Sequence, residues 1–412
     1  MFLNPILKIL LIPSSSPGRS YRASEAMKTR ALLFLPGEAI WRLMNRGWGE
    51  SEGEALIKQT AVTSREPEVP RFPLLPPGRT GKSLTMSAIL EPVRPIRLDE
   101  IYEARKRIAN TIIRTPLVRF DLGPGFPDIR LKLENLQPIN AYKLRGAANA
   151  VAMLSEAERR RGVWTISAGN AGQGVAYAAR KAGVPCSVVV IDTAPESKIA
   201  RMRRLGAKLI PVPFDTAWQA MEDRAFPGIE GTFVHPFDNQ NFVTGNATLG
   251  LEILEDAPDV VTVTAAIGGG GLLTGVGSAL KALKPEVKVW GAEPETAAPG
   301  ALSFAKQSPQ VFTQWKQSFV DGAGGKSIFP RMWERMRPVA DGSIVVSLEE
   351  TKRAMRLLAE KTRVIAEGAG ALSVAAALSG KAGSGPIVAV VSGGNIDLDK
   401  FFELISSVSL PS

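Results

Sequence analysis

Lys143 is the residue of this chain whose position best suits covalent chemistry. Residues 129–133 before it alternate apolar and charged side chains, as in a strand with one buried face, and residues 144–154 after it carry apolar side chains at helical spacing. The lysine therefore lies in the connection between a predicted strand and the helix that follows it. A partly desolvated amine at such a point has a lowered pKa and can attack a carbonyl compound. Most lysines at helix starts are solvated surface groups, so the position alone does not establish this role.

A loop of small residues at positions 167–174 follows one predicted strand and precedes a helix. It begins with Ser167, Ala168, Gly169 and Asn170. Backbone N–H groups at a helix N-terminus bind anions, so this loop is a candidate site for a substrate carboxylate. A tight turn without a ligand explains the composition equally well.

Four consecutive glycines follow an apolar predicted strand, at Gly268, Gly269, Gly270 and Gly271. Such a run is costly in conformational entropy unless the backbone approaches something closely, and a phosphate at a helix N-terminus is the usual reason. The run lacks the third glycine of G-x-G-x-x-G, because Leu273 stands there, so no dinucleotide is indicated. A third loop, residues 392–395, places Ser392 after a strand, where its hydroxyl could bond a ligand or simply belong to a turn.

Composition excludes several other kinds of chemistry. The only cysteine, Cys186, lies in an apolar strand pattern, and the only histidine is His235, so an internal disulfide, most His-based metal sites and a Cys-His or Ser-His catalytic pair are ruled out or improbable. The net charge of +10 is scattered among acidic residues, which indicates no nucleic-acid partner. No apolar stretch is long enough to span a bilayer. We therefore predict a cytoplasmic protein.

Strand and helix patterns alternate regularly from residue 115 onward. This alternation predicts βαβ units and mainly parallel sheets covered by helices, with ligands bound at the carboxyl ends of the strands. The predicted strands are residues 129–133, 163–166, 186–191, 208–212, 260–267, 288–292, 344–348 and 386–391.

Residues 1–86 differ from the rest, being rich in Pro, Arg and Ser without strand-helix alternation. An organelle transit segment, a poor secretory signal and an upstream region preceding a true start at Met86 all fit this composition. We favour the last, and predict an N-terminal extension that is either disordered or a misassigned start.

The order of Lys143, the 167–174 loop, the four glycines and the 392–395 loop resembles the pyridoxal-phosphate enzymes of the serine/threonine dehydratase and serine racemase family, with the fold type of the tryptophan synthase β-subunit. The similarity spans about residues 87–408. Four shorter motifs support it: Thr115-Pro-Leu117, His235-Pro236, Glu293-Pro294 and Glu367-Gly-Ala-Gly370.

The resemblance assigns roles to individual residues of the main motifs. It implies that Lys143 bonds the cofactor covalently and later moves the Cα proton, and that the phosphate lies on the four glycines. It further implies that Tyr142 packs beneath the cofactor, in place of the usual Phe, and that Asn170 bonds the cofactor 3-hydroxyl. Ser392 would face the pyridine nitrogen, Glu293 would belong to the cofactor-binding set, and Ser167, Ala168, Gly169 and Asn170 would hold the substrate.

Two departures from the family pattern bear on function. Racemases of this family carry a serine where this chain has Ala168, and alanine cannot donate a proton to the opposite face of Cα. In the family's cation site, Glu293 and Ala297 match, but Pro299 occupies the position of the second acid. We therefore predict neither racemisation nor a metal ion.

We predict a fold type II pyridoxal-phosphate enzyme with two open, twisted, mainly parallel sheets flanked by helices. Residues 87–161 and 237–412 would form a large domain, residues 162–236 a small inserted one, and the cofactor would lie in the cleft between them. The expected reaction is β-elimination from L-threonine or L-serine to a 2-keto acid and ammonia, in a homodimer or homotetramer. Action on another β-substituted amino acid, by elimination or replacement, and cofactor binding without catalysis remain alternatives.

Overall fold

The structure, a computed structural model, describes residues 90–409. The predictions for residues 1–86 lie outside the described residues. Ten strands lie within residues 90–409: β1 Leu117–Arg119, β2 Ile129–Lys132, β3 Val163–Ile166, β4 Cys186–Ile191, β5 Lys208–Val212, β6 Thr232–Phe233, β7 Thr262–Ala266, β8 Lys288–Pro294, β9 Gly342–Val346 and β10 Ile387–Val390.

Helices alternate with these strands along most of the described chain. They are α1 Leu98–Ile108, α2 Lys143–Ala152, α3 Glu156–Arg161, α4 Asn170–Ala182, α5 Glu196–Arg204, α6 Phe214–Asp223, α7 Gln240–Asp256, α8 Gly271–Leu283, α9 Pro299–Lys306, α10 Pro330–Met336, α11 Leu348–Thr362, α12 Gly368–Leu378 and α13 Leu398–Ser406. Two short 3₁₀ turns, Glu134–Leu136 and Asp321–Ala323, lie between them.

The larger sheet has six strands in the order β1-β2-β10-β7-β8-β9. Only β1 runs antiparallel to its neighbour; the other pairs are parallel. Strands β7 and β10 in the middle are buried along their whole length, as strands covered on both faces must be. Helix α12, made almost entirely of small apolar residues, packs on this sheet and contributes to its core.

The smaller sheet has four parallel strands in the order β5-β4-β3-β6. All of its strands come from the stretch predicted as an inserted domain, although the division into two domains itself stays a prediction. The predicted fold class, with two mainly parallel sheets flanked by helices, is confirmed. All eight predicted strands exist. The prediction missed β1 and β6, and it placed β9 two residues late, because the pattern from Leu348 onward belongs to helix α11.

A buried ion cluster joins α2 to its surroundings. The guanidinium of Arg145 bonds Glu134 at 2.7 and 2.8 Å and Glu252 at 2.7 and 2.9 Å. The Arg145 and Glu134 side chains are fully buried, and Glu252 is almost so. Two carboxylates thus hold the helix that begins at Lys143, because an unpaired charge at this depth would be very costly.

Candidate active site

A cavity of about 690 Å³ lies where loops following strands of both sheets meet. Its lining includes most of the residues singled out from the sequence: Tyr142, Lys143, Ser167, Ala168, Gly169, Asn170, Gly268, Gly269 and Ser392. These residues follow β2, β3, β7 and β10, at the carboxyl ends of the strands, where parallel sheets bind ligands. We refer to it as the central cavity.

Lys143 is the first residue of α2, and its side chain faces the central cavity. The amine donates a hydrogen bond to the carbonyl oxygen of Pro236 at 2.8 Å. It also lies 5.2 Å from the ring centre of Tyr142 and 5.5 Å from that of Phe242. Burial lowers the pKa of Lys143 to about 8, because no carboxylate compensates the loss of water. Roughly a tenth of this amine is therefore unprotonated and nucleophilic at pH 7, far more than for a solvated lysine.

Two positions of the glycine loop between β7 and α8 have no room for a side chain. A Cβ on Gly269 would lie 2.2 Å from a ring carbon of Phe237, and one on Gly268 would lie 2.8 Å from the carbonyl oxygen of Gly322. Gly270 has a φ of 85°, a conformation that side chains disfavour. The loop ends at the N-terminus of α8, whose first-turn N–H groups have no intrahelical acceptor. This arrangement suits a phosphate group.

Two side chains, one carboxyl and one amide, fix the orientation of Asn170. Its Nδ2 donates to Oε1 of Glu367 at 2.7 Å, and its Oδ1 accepts from Nδ2 of Asn395 at 2.7 Å. Burial, with the nearby carboxylate of Asp321, raises the pKa of Glu367 to about 8. The sequence prediction gave Glu367 no role, although an acid within an apolar, glycine- and alanine-rich segment is an unusual feature.

Ser392 is held beside Tyr142 by the backbone. The N–H of Tyr142 donates to the Ser392 carbonyl at 3.0 Å, and the Ser392 hydroxyl donates to the carbonyl of Ala369 at 3.3 Å. The loop after β10 also packs on α12, where a Cβ on Gly370 would lie 2.1 Å from the Gly393 carbonyl oxygen. Ser392 thus lines the central cavity in a fixed place.

Four predicted residues do not line the central cavity: Gly270 and Gly271 of the glycine loop, and Glu293 and Ala297. The Glu293 carboxylate instead accepts hydrogen bonds from the N–H groups of Gly300 and Ala301 and from the Ser343 hydroxyl, each at 2.7 Å. Both carboxylate oxygens of Glu293 therefore accept hydrogen bonds from neighbouring protein groups. Residues 90–409 contain no group of three or more His, Cys, Asp or Glu side chains that could hold a metal ion.

The lining of the central cavity fits pyridoxal phosphate. It offers a nucleophilic amine for an aldehyde, a glycine loop at a helix N-terminus for a phosphate, and a neutral hydroxyl for a ring nitrogen. The cavity has the size of a typical cofactor pocket.

Comparison with known proteins gives the same class. Residues 108–393 match the family described as pyridoxal-phosphate dependent enzyme. The L-threonine ammonia-lyase of Thermotoga maritima is 40% identical over 318 residues, which cover 76% of this chain and 78% of that protein. The catabolic L-threonine dehydratase of Staphylococcus aureus is 35% identical over 330 residues, covering 77% and 94%. The structure of maize serine racemase superposes with a TM-score of 0.70 at 30% identity and covers 76% of this chain and 98% of that one.

The chain belongs to the family of pyridoxal-phosphate dependent enzymes. The cofactor and the family predicted from the sequence are confirmed, as is the fold type II architecture. No helix within the described part of the chain is long and apolar enough to cross a membrane.

Proposed function

We propose that this enzyme is an ammonia-lyase that removes water and ammonia from L-threonine or L-serine. The position of the Lys143 amine in the central cavity carries this proposal, together with the relatives named for threonine deamination. Bound pyridoxal phosphate supplies an electron sink for the electron pair left on Cα. Lys143, Asn170, Ser392 and the glycine loop would hold it.

Lys143 is the base in the proposed reaction. Its unprotonated Nζ takes the Cα proton, and its lowered pKa makes that form available near neutral pH. The Cβ–O bond then breaks, and the departing hydroxyl together with the proton lost from Cα makes up the released water. The enamine product hydrolyses to a 2-keto acid and ammonia. The carbonyl of Pro236, 2.8 Å from Nζ, keeps the amine in place between these events.

The loop before α4 is the proposed site of the substrate carboxylate. Ser167, Ala168 and Gly169 line the cavity, and Asn170 begins the helix. The first N–H groups of a helix have no intrahelical acceptor and carry partial positive charge, which favours a carboxylate. The Ser167 hydroxyl accepts from the Gly169 N–H at 3.1 Å and so shapes the loop itself.

Ser392 sets the reaction type in this proposal. A hydroxyl facing the pyridine nitrogen does not keep it protonated, so the carbanion is stabilised less and is short-lived. This favours β-elimination over transamination.

Racemisation is the second candidate, because a structural neighbour is a serine racemase. Ala168 provides no acid on the opposite face of Cα, so we expect no D-serine from L-serine. Chiral chromatography of the reaction mixture tests this, with Ala168→Ser as the comparison variant. Accumulation of D-serine with the unmodified enzyme would show that another group reprotonates Cα.

Two further parts of the proposal concern organisation. Residues 162–236 would form a small domain inserted into a large one, and the enzyme would work in the cytoplasm as a homodimer or homotetramer. Light scattering after gel filtration measures the oligomeric state.

The decisive experiment compares the unmodified enzyme with Lys143→Ala and with Lys306→Ala, an exposed lysine on α9. We expect a visible cofactor band and 2-keto acid formation from L-threonine or L-serine in the unmodified enzyme and in Lys306→Ala, and neither in Lys143→Ala. A cofactor band without turnover of either amino acid would reject the substrate assignment and favour another β-substituted amino acid or a non-catalytic role.

A further inference from the structure

A second cavity, of about 280 Å³, shares no lining residue with the central cavity. It lies at the start of α7 and along α10, and we call it the arginine cavity because Arg224, Arg331 and Arg335 line it. No role in the proposed reaction involves these side chains.

All three arginines converge on one buried carboxylate, Asp238. Its Oδ2 accepts from Arg224 and, at 3.1 Å, from Nε of Arg331, and its Oδ1 accepts from Nε of Arg335 at 3.2 Å. The side chains of Asp238 and Arg335 are 1% and 5% exposed. Bonding through Nε leaves most of the N–H groups of Arg331 for another partner, since a guanidinium carries five.

The cluster carries an excess of positive charge. Three guanidiniums face one carboxylate, and His235 beside it is neutral because burial lowers its pKa to about 3. Burial and the neighbouring Arg331 and Arg224 hold the pKa of Arg335 below its ordinary value despite Asp238. The other charged lining residues, Arg94 and Glu91, are exposed, and Arg94 is paired with Glu100.

One buried side-chain donor without an acceptor, on Gln240, adds to this preference for an anion. The Oε1 of Gln240 accepts from Arg335, which leaves its Nε2 as the free donor end. That nitrogen is buried and has no hydrogen-bond partner among the described residues. Gln240 is also the first residue of the 17-residue helix α7, whose N-terminus has the positive end of the helix dipole.

We propose that the arginine cavity binds a phosphate group, either as inorganic phosphate or as part of a small phosphomonoester. Guanidinium groups form paired, charge-assisted hydrogen bonds with phosphate oxygens, and helix N-termini bind the same anions. A dianion would balance the two uncompensated charges and accept the hydrogen bond that Gln240 offers.

The chain segment of residues 236–238 connects the arginine cavity to the central cavity. Asp238 is two residues from Pro236, whose carbonyl oxygen accepts a hydrogen bond from the Lys143 amine. The residue between them is Phe237, and its ring fills the space beside Gly269. A phosphate that ties the arginines and Gln240 together restrains this segment. The binding site itself goes beyond the proposed lyase function and does not depend on the substrate.

The test is thermal unfolding and calorimetric titration of the cofactor-saturated enzyme, so that the glycine loop is already filled. Inorganic phosphate is titrated against sodium chloride at equal ionic strength, and glycerol 3-phosphate is titrated in parallel. We expect a saturable rise in Tm with phosphate beyond that with chloride, and one site per chain. Tighter binding of glycerol 3-phosphate identifies the ligand as a phosphomonoester, and weaker binding identifies it as free phosphate.

Two variants locate the site. Arg331→Gln should weaken phosphate binding by about tenfold or more, because it removes a charge-assisted contact, whereas Arg337→Gln, an exposed arginine just beyond α10, should leave the Kd within about twofold. Gln240→Met serves as a second cavity variant if Arg331→Gln loses its cofactor band. Equal effects of phosphate and chloride, or equal Kd values in Arg331→Gln, Gln240→Met and Arg337→Gln, would overturn the proposal.

Discussion

The side-chain nitrogen of Asn170 lies 2.7 Å from a carboxyl oxygen of Glu367, although the residues are 197 positions apart. Asn395 completes the arrangement by donating to the other end of the same amide. Asn170 is the first residue of α4, and Glu367 immediately precedes α12. The contact therefore joins the loop proposed for the substrate to the larger sheet.

Replacing Glu367 by Gln should change how stability depends on pH. Burial raises the pKa of Glu367 to about 8 from an ordinary value of 4.5, so protonation stabilises the folded state. This contribution is complete below about pH 4.5 and is lost as the pH rises through about 8. Glu367→Gln keeps an acceptor for Asn170 but does not titrate. In thermal melts of the apoenzyme, the free energy of unfolding of the variant should rise relative to that of the unmodified protein by a few kcal/mol between about pH 5 and pH 8.

The exposed Glu349→Gln on α11 is the control for this series. Its free energy of unfolding should change with pH in the same way as that of the unmodified protein. A constant difference between Glu367→Gln and the unmodified protein would mean that Glu367 has an ordinary pKa.

The rate at which the apoenzyme takes up its cofactor covalently should rise with pH and level off. Lys143 has a pKa of about 8, so roughly a tenth of the amine is unprotonated at pH 7 and roughly nine tenths at pH 9. Growth of the visible cofactor band after mixing measures the rate. A rate that keeps rising tenfold per pH unit beyond pH 9 would indicate a fully solvated lysine.

Gly269→Ala should weaken cofactor binding strongly while leaving the chain folded. The new methyl group would lie 2.2 Å from the Phe237 ring, so the ring or the glycine loop must move. We expect the Kd for the cofactor to rise by about a hundredfold, because several N–H contacts to the phosphate are disturbed together. Equilibrium titration of the cofactor band measures the Kd. Adding Phe237→Ala should recover part of the affinity, and no recovery would mean that the clash with the ring is not the cause.

Removal of the buried guanidinium from α2 should destabilise the protein severely. Arg145→Met leaves the Glu134 carboxylate buried without an ion-pair partner, while Glu252 keeps only Lys132, at 2.9 Å. This loss should cost roughly 3–5 kcal/mol in free energy of unfolding. The matched change Arg160→Met removes an exposed pair with Glu156 and should cost less than about 1 kcal/mol. Denaturant unfolding measures both. Similar losses in the two variants would contradict the structural role of the cluster.

The sequence predicted the central cavity better than it predicted the contacts within it. Alternation before Lys143 and the run of glycines after β7 are local patterns, so they located the amine and the loop without tertiary information. The Pro236 carbonyl beside Lys143 and the link from Asn170 to Glu367 depend on chain segments about 90 to 200 positions apart. No local pattern encodes such pairs.

Strand order was equally beyond local reasoning. Strands β1 and β6 are three and two residues long, too short for a periodic pattern. The position of β10 between β2 and β7 follows from long-range packing of apolar strands that look alike in the sequence. Gln240 and the three arginines around Asp238 also come from three separate segments of the chain.

The position of β10 in the middle of the larger sheet determines when the central cavity can form during synthesis. Strands β3, β4, β5 and β6 are contiguous in the chain, so their sheet can assemble while the ribosome is still translating the second half. The larger sheet cannot, because β2 and β7 are joined only through a strand at residues 387–390. Until that strand emerges, the nascent polypeptide carries Lys143 with no formed pocket around it, and cofactor capture marks the end of folding.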